Sequence, residues 1–205
     1  MIFYRTQSIF IRTPKTASSS ILMALFGIDK NSWEPNYMLH EEIKRHLPPD
    51  IKNKWKRDPH HYPLDILHEC LPKDERFLVK RFFKYAFVRN PFDKLVSMYR
   101  YRVSRSGGEK YNLKEFLLKT KTSTDVWDWS QVDLTSGCDF IGKYENLQKD
   151  FDTICEKIGI PQQELPHTNS QERKHYTEYY DDETRQIVAE KYAKDIEYFG
   201  YKFGE

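Results

Sequence analysis

No glycine occurs between Met1 and Phe26. The nucleotide-triphosphate loop GxxxxGK followed by Ser or Thr needs glycines so that the backbone can wrap the phosphates, and the amino-terminal segment excludes it. Cysteine is scarce too. Cys70, Cys138 and Cys155 form no CxxC and no paired spacing, which argues against a disulfide framework and the known zinc patterns. Inert thiols in a reducing compartment are expected, and with them a cytoplasmic location. No apolar run approaches the length of a membrane span, and the first strand begins too early for a signal peptide. Net charge is only +2, with no large excess of one sign. Neither nucleic acid nor a membrane is an expected partner, and oligomeric state is left open. Repeats and low-complexity segments are missing as well.

What remains describes a soluble globular protein: 39% hydrophobic and 31% charged residues over 205 positions. That length is most simply one domain, 1–205, large enough to bury a full core. Charge is unevenly placed. Positions 73–110 hold eleven basic and four acidic residues, whereas 171–205 hold six basic and nine acidic ones. A basic middle suits a doubly anionic ligand or an acidic acceptor, but equally a nucleic-acid patch or a plain solvated face.

The stretch Ser8 to Ala24 reads SIFIRTPKTASSSILMA. Ile9, Phe10 and Ile11 suit a buried strand. Thr16 and Ser18 to Ser20 are cap and first-turn residues, Ile21, Leu22, Leu25 and Phe26 form an apolar helical stripe, and Gly27 suits a left-handed C′ position. Strand, loop and helix thus aim Lys15, several hydroxyls and a helix N-terminus at one point, an arrangement that attracts phosphate or sulfate. An ordinary Ser-capped βα junction would read the same way. Because alanine disfavours positive φ, Ala17 predicts a loop that turns through helical or extended angles only.

A second strand runs straight into a helix at Tyr85 to Pro91. Asn90 is a fitting N-cap and Pro91 a fitting first helical residue. Phe92, Leu95, Val96, Tyr99 and Val103 follow at helical spacing. Arg89 is left at the carboxyl end of the strand, where ligands of open α/β sheets bind, and Ser97 two turns on can face the same anion. Each has a bland alternative, a solvated strand end and a helix surface hydroxyl.

With these two segments in view, the chain resembles the sulfotransferases that use 3′-phosphoadenosine 5′-phosphosulfate (PAPS). It looks closest to the Golgi-type carbohydrate enzymes, including heparan 2-O-sulfotransferase, and their small bacterial relatives. Pro14 to Ser20 match the family's 5′-phosphosulfate loop, although many relatives carry paired glycines where Ala17-Ser18 stand. Phe87 to Pro91 with Leu95 to Tyr99 match its 3′-phosphate segment. Asp139 to Leu147 with Asp150-Phe151 match a third motif. Leu165 to Ser170, Tyr179 to Asp182 and Asp195 to Tyr201 match the tail. Positions 104–136 match least, and acceptor specificity is expected there. Unlike Golgi relatives, the chain shows no anchor or stem and is expected to be a bare catalytic domain.

The resemblance implies an α/β, P-loop-kinase-like three-layer domain with a mainly parallel central sheet. It implies in-line transfer of a sulfuryl group from PAPS to an acceptor hydroxyl on a carbohydrate, leaving PAP, with no metal. Pro14, Lys15, Thr16, Ala17, Ser18, Ser19 and Ser20 would hold the 5′ end, and Lys15 would meet charge developing on the leaving oxygen. Arg89 and Ser97 would clamp the 3′-phosphate. The base would be a histidine between the two anion motifs. His60 fits the family spacing to Asp65-Ile66 and His61 is offset by one, ahead of His68, His40 and the carboxylate Glu69. The alternatives are a small-molecule kinase with an atypical phosphate loop and a non-catalytic module that binds nucleotides or sulfated glycans.

Elsewhere the pattern predicts a cover over the site at 35–72 with a helix near Leu39 to His46, and a turn at Gly107-Gly108. A short helix is expected over 112–119, with Leu113, Phe116 and Leu117 inward. Trp127 and Trp129 suit either a sugar-stacking loop or a satellite cluster. A third parallel strand falls at Asp139 to Lys143, then a helix Leu147 to Ile158 stopped by Gly159, and a last helix Asp182 to Tyr192. Arg173 and Lys174 are candidates to close over the nucleotide.

Overall fold

A computed structural model describes residues 1–26, 61, 63–71, 73–105, 112–121, 129–166 and 173–205. Among the described residues, four strands form one sheet in the order β1 (Ile2–Phe3), β2 (Ser8–Ile11), β3 (Phe83–Val88) and β4 (Phe140–Lys143). β2, β3 and β4 run parallel, and only the short edge strand β1 is antiparallel. β2 is buried along its whole length, as parallel strands covered on both faces must be. Alternate residues of β2 and β3 then feed two cores. Ile9, Ile11 and Ala86 pack with Leu67, Leu71 and Val79 of helices α2 (Leu64–Cys70) and α3 (Lys73–Val79) or the loop joining them. Phe10, Tyr85 and Phe87 pack with Ile21 and Leu22 of α1 (Ser18–Phe26) and Phe151 and Ile154 of α7 (Leu147–Ile158). The result is helix, sheet, helix: the expected three layers.

A third cluster joins α4 (Pro91–Arg105) to α5 (Leu113–Lys121) and α8 (Asp182–Lys191) through Leu95, Val96, Phe116 and Val188. Asn90 caps α4 as expected, its Oδ1 accepting from the Phe92 N–H at 3.1 Å. Gly159 ends α7 at φ 71°. Gly142 is present for a different reason. A Cβ there would stand 2.6 Å from the Phe87 ring and 3.0 Å from the Asp150 Cβ.

Three features depart from expectation. α8 is not the last helix. After Tyr192 the chain turns into α9 (Ala193–Phe199), whose Asp195 is fully buried and tied to α6 (Gln131–Leu134). α2 falls within the 35–72 stretch, where a helix was expected only near Leu39 to His46, and α3 follows just beyond that stretch, where none was expected. β1 is too short to register as a strand pattern. The helix expected near Leu39 and the turn at Gly107 lie outside the described residues. Among the described residues no helix is long and apolar enough to cross a membrane.

Candidate active site

Parallel pairing puts the carboxyl ends of β2, β3 and β4 at one edge. Ile11 is level with Ala86, and Val88 with Lys143, so Arg12, Arg89 and Tyr144 emerge together. From β2 the chain enters a loop tied firmly to the sheet. The buried Thr13 hydroxyl donates to the Phe87 carbonyl. Thr16 Oγ1 donates to the Thr13 carbonyl at 3.0 Å, and Ser18 Oγ reaches the same oxygen at 3.4 Å.

The loop corrects one expectation. Lys15 and Ala17 both take left-handed backbone angles, φ 64° and 60°, where helical or extended values were predicted for Ala17. Each such non-glycine residue costs about 1–2 kcal/mol. The hydroxyl ties on either side and the tether from Arg89 hold the strain, as such angles require. Left-handed residues at a strand-to-helix turn gather successive N–H groups into an anion-binding concavity. α1 begins at once, the Ala17 carbonyl accepting from Ile21 N at 3.1 Å. The N–H groups of Ser18, Ser19 and Ser20 are therefore not used by the helix's own ladder.

Arg89 joins the second turn to the first. Its Nη1 donates to the Lys15 carbonyl at 2.9 Å. Nε and Nη2 donate to Asp93 Oδ2 at 2.9 and 2.7 Å, and the guanidinium lies 3.8 Å from the Tyr144 ring centre. Arg173 Nη2 meets the other carboxylate oxygen of Asp93 at 2.5 Å. One carboxylate thus carries two guanidinium groups. Lys15 Nζ stands 4.4 Å over the ring of Tyr101, and burial, then the charge of Arg89, lower its pKa to about 8. Asp93, Ser97 and Tyr101 recur every four residues along one stripe of α4. Half-buried Ser97 therefore lies between the Asp93 that grips Arg89 and the Tyr101 beneath Lys15.

His61 is buried and docks at the same edge. Its Nδ1 lies 2.6 Å from the Arg12 carbonyl. A carbonyl only accepts, so Nδ1 carries the proton and Nε2 is the basic nitrogen of the neutral ring. His60, His40 and His46 fall outside the described residues, as does Trp127. Trp129 packs against the cluster of Ile9, Leu67 and Leu134, one of the two cores that flank the sheet. Arg100, Arg173, Lys174, Glu178 and Tyr179 line a cavity of about 460 Å³ beside the Asp93 cluster.

The model of the sulfotransferase family matches residues 1–202. The chain belongs to the sulfotransferase family. It is an enzyme of that family, whose members in general take sulfate from PAPS and give it to a hydroxyl. This sulfotransferase is also 32% identical over 84 residues to an uncharacterized protein of Archaeoglobus fulgidus, covering 38% of the chain and 69% of that protein. Sequence reasoning missed Asp93, Tyr101, Tyr144 and Gln131 near the site. Asp93 had a signal, an acid four residues after an arginine at a helix start. Tyr101 had one too, standing four residues after Ser97 on the same helix, and Tyr144 lies in the matched Asp139 to Leu147 motif. Gln131 is brought in by tertiary packing alone.

Proposed function

We propose that this sulfotransferase moves the sulfuryl group of PAPS to a carbohydrate hydroxyl by in-line displacement. The observation that carries the reading is the 2.9 Å contact from Arg89 Nη1 to the Lys15 carbonyl. It joins the two strand-to-helix turns, so that one ligand with anions at both ends can span them. Lys15, Thr16 and the N–H groups of Ala17 to Ser20 hold the 5′ end. Pro14 sets the approach of the loop. Arg89 and Ser97 hold the 3′-phosphate, with Arg173 adding charge through Asp93. Lys15, Arg89 and Arg173 against Asp93 leave two net positive charges for a polyanionic donor.

When bound, PAPS supplies the activated sulfuryl group and a phosphate leaving group. Lys15 meets the charge that develops on the leaving oxygen, as fixed donors do in related transfers. A histidine of the His60-His61 pair takes the acceptor proton, help worth roughly 10²–10⁴-fold. For His61, Nδ1 keeps its own proton in the hydrogen bond to the Arg12 carbonyl, and Nε2 is the atom that takes the proton of the acceptor hydroxyl. The basic and tyrosine-bearing cavity beside Asp93 suits a hydroxyl-rich, acidic acceptor better than an apolar alcohol.

Calorimetric titration with PAP, AMP and ATP, with and without Mg²⁺, tests the reading. PAP should bind far more tightly than AMP, whether or not Mg²⁺ is present. Tight binding of ATP only with Mg²⁺ would point to a kinase. PAP binding without sulfate transfer to any glycan would point to a binding module.

A further inference from the structure

We propose that Gln131, oriented by Asp195, is the positioning residue that sets where the Arg89 guanidinium stands, and so how strongly the site prefers a 3′-phosphate. The inference rests on the reading of Arg89 given above. β3 makes its last ladder pair at Val88 with Lys143, and Arg89 steps beyond the sheet. There one side chain takes both of its backbone groups. Gln131 Oε1 accepts from the Arg89 N–H at 2.9 Å, and Gln131 Nε2 donates to the Arg89 carbonyl at 2.8 Å. The carboxamide continues the ladder for one residue, as a neighbouring strand would.

The amide has only one workable orientation. Asp195 Oδ2 accepts from Gln131 N at 2.9 Å and from Gln131 Nε2 at 3.4 Å. Its Oδ1 takes Ser130 Oγ at 2.5 Å and Val132 N at 3.2 Å. Reversing the amide would set Oε1 against both a carboxylate and a carbonyl. Gln131 and Asp195 are each fully buried, where such mismatches are most costly. Asp93 and the Lys15 carbonyl hold the head of Arg89, and Gln131 holds its root. Fixing both ends leaves the guanidinium little freedom to miss a phosphate.

The test compares PAP with AMP by calorimetry on the wild type, Gln131→Met, Gln131→Asn and Thr135→Val. Methionine keeps the length and loses the hydrogen bonds. Asparagine keeps the amide but draws it back from Arg89, and serves if the methionine variant fails to fold. Thr135 donates to the Gln131 carbonyl at 2.7 Å, so its variant loosens the same helix without touching Arg89. The expected result is that both Gln131 variants lose about tenfold or more of the preference for PAP, the scale of a misplaced binding group. AMP affinity should fall less than PAP affinity, and Thr135→Val should keep the wild-type ratio. Gln131 variants that melt earlier yet keep that ratio would reduce Gln131 to a structural residue and overturn the proposal. A wild type that does not prefer PAP to AMP would instead bring down the reading of Arg89 itself, and this inference with it.

Discussion

Alkaline pH should weaken PAP binding through a single group, the Lys15 ammonium. The amine lies over Tyr101 at 4.4 Å, its carbonyl receives Arg89, and Asp93 beyond is already shared by Arg89 and Arg173. Burial and the Arg89 charge hold its pKa near 8 in the free protein. A bound phosphate favours the charged amine and returns the pKa toward the ordinary lysine value. Binding then takes up a proton above pH 8. With a free pKa of about 8, about nine-tenths of the amines carry a proton at pH 7 and about one-tenth at pH 9. Kd should therefore rise about tenfold between pH 7 and pH 9, with little change below 7.5 from this group. The phosphomonoester's own second ionisation, near 6, is complete over that range. For the free protein the sign is opposite. The unfolded chain binds the proton more tightly, so stability gains from this lysine as pH rises from about 8 toward the unfolded value. Titration of PAP at five pH values on the wild type and on Lys15→Arg, which stays charged, decides the matter. A wild-type Kd flat to pH 9.5, or an arginine variant as steep as the wild type, would refute the reasoning.

Arg89→Lys keeps a charge but loses the planar fork that reaches both Asp93 and Lys15, so PAP affinity should fall about 10–100-fold by the worth of charged hydrogen bonds. AMP affinity should fall less than PAP affinity, since the variant weakens the tether on the 5′ loop but AMP has no 3′-phosphate to lose, and an equal loss of both by calorimetry would remove Arg89 from the 3′ role. His61→Asn retains an N–H for the Arg12 carbonyl and removes the basic nitrogen, so kcat should fall roughly 10²–10⁴-fold with PAP Kd little changed; a kcat near wild type would shift the role to His60. Gly142→Ala forces a methyl against the buried Phe87 ring and should cost about 1–3 kcal/mol in denaturant unfolding. Unchanged stability would mean that the β3–β4 packing yields more easily than its spacing indicates.

Much of this arrangement was legible because local chemistry and tertiary position agree. Asn90-Pro91 marks a helix start by its own capping chemistry, and the inward face of α5 follows from Leu113, Phe116 and Leu117 alone. The strand ends could be aligned because parallel strands share an edge. α2, α3 and α9 were not legible, and for a reason common to all three. Each is a helix of seven residues, too short for a 3.6-residue pattern to declare itself and held by packing rather than propensity. Gln131 and Asp195 stand 64 positions apart, and neither has a neighbour in sequence that hints at the other. Ala17 misled because intrinsic preference was weighed without the ties that overrule it.

Those ties make the two ends of the site mechanically dependent. The left-handed turns at Lys15 and Ala17 would relax if nothing held them, since glycine is not there to make them free of cost. What holds them is anchored on β3: the Thr13 hydroxyl on the Phe87 carbonyl and Arg89 on the Lys15 carbonyl. The residue read as the 3′-phosphate ligand thus also braces the loop read as the 5′ cradle. A phosphate that draws the Arg89 guanidinium toward itself must compete with the Lys15 carbonyl for the same N–H groups. A ligand anionic at both ends supplies a counter-charge to the loop as it loosens that tether, whereas one lacking either end leaves half of the brace without a replacement. On the proposed reading, selectivity for a doubly anionic nucleotide arises from how the two turns share donors, and not from either turn alone.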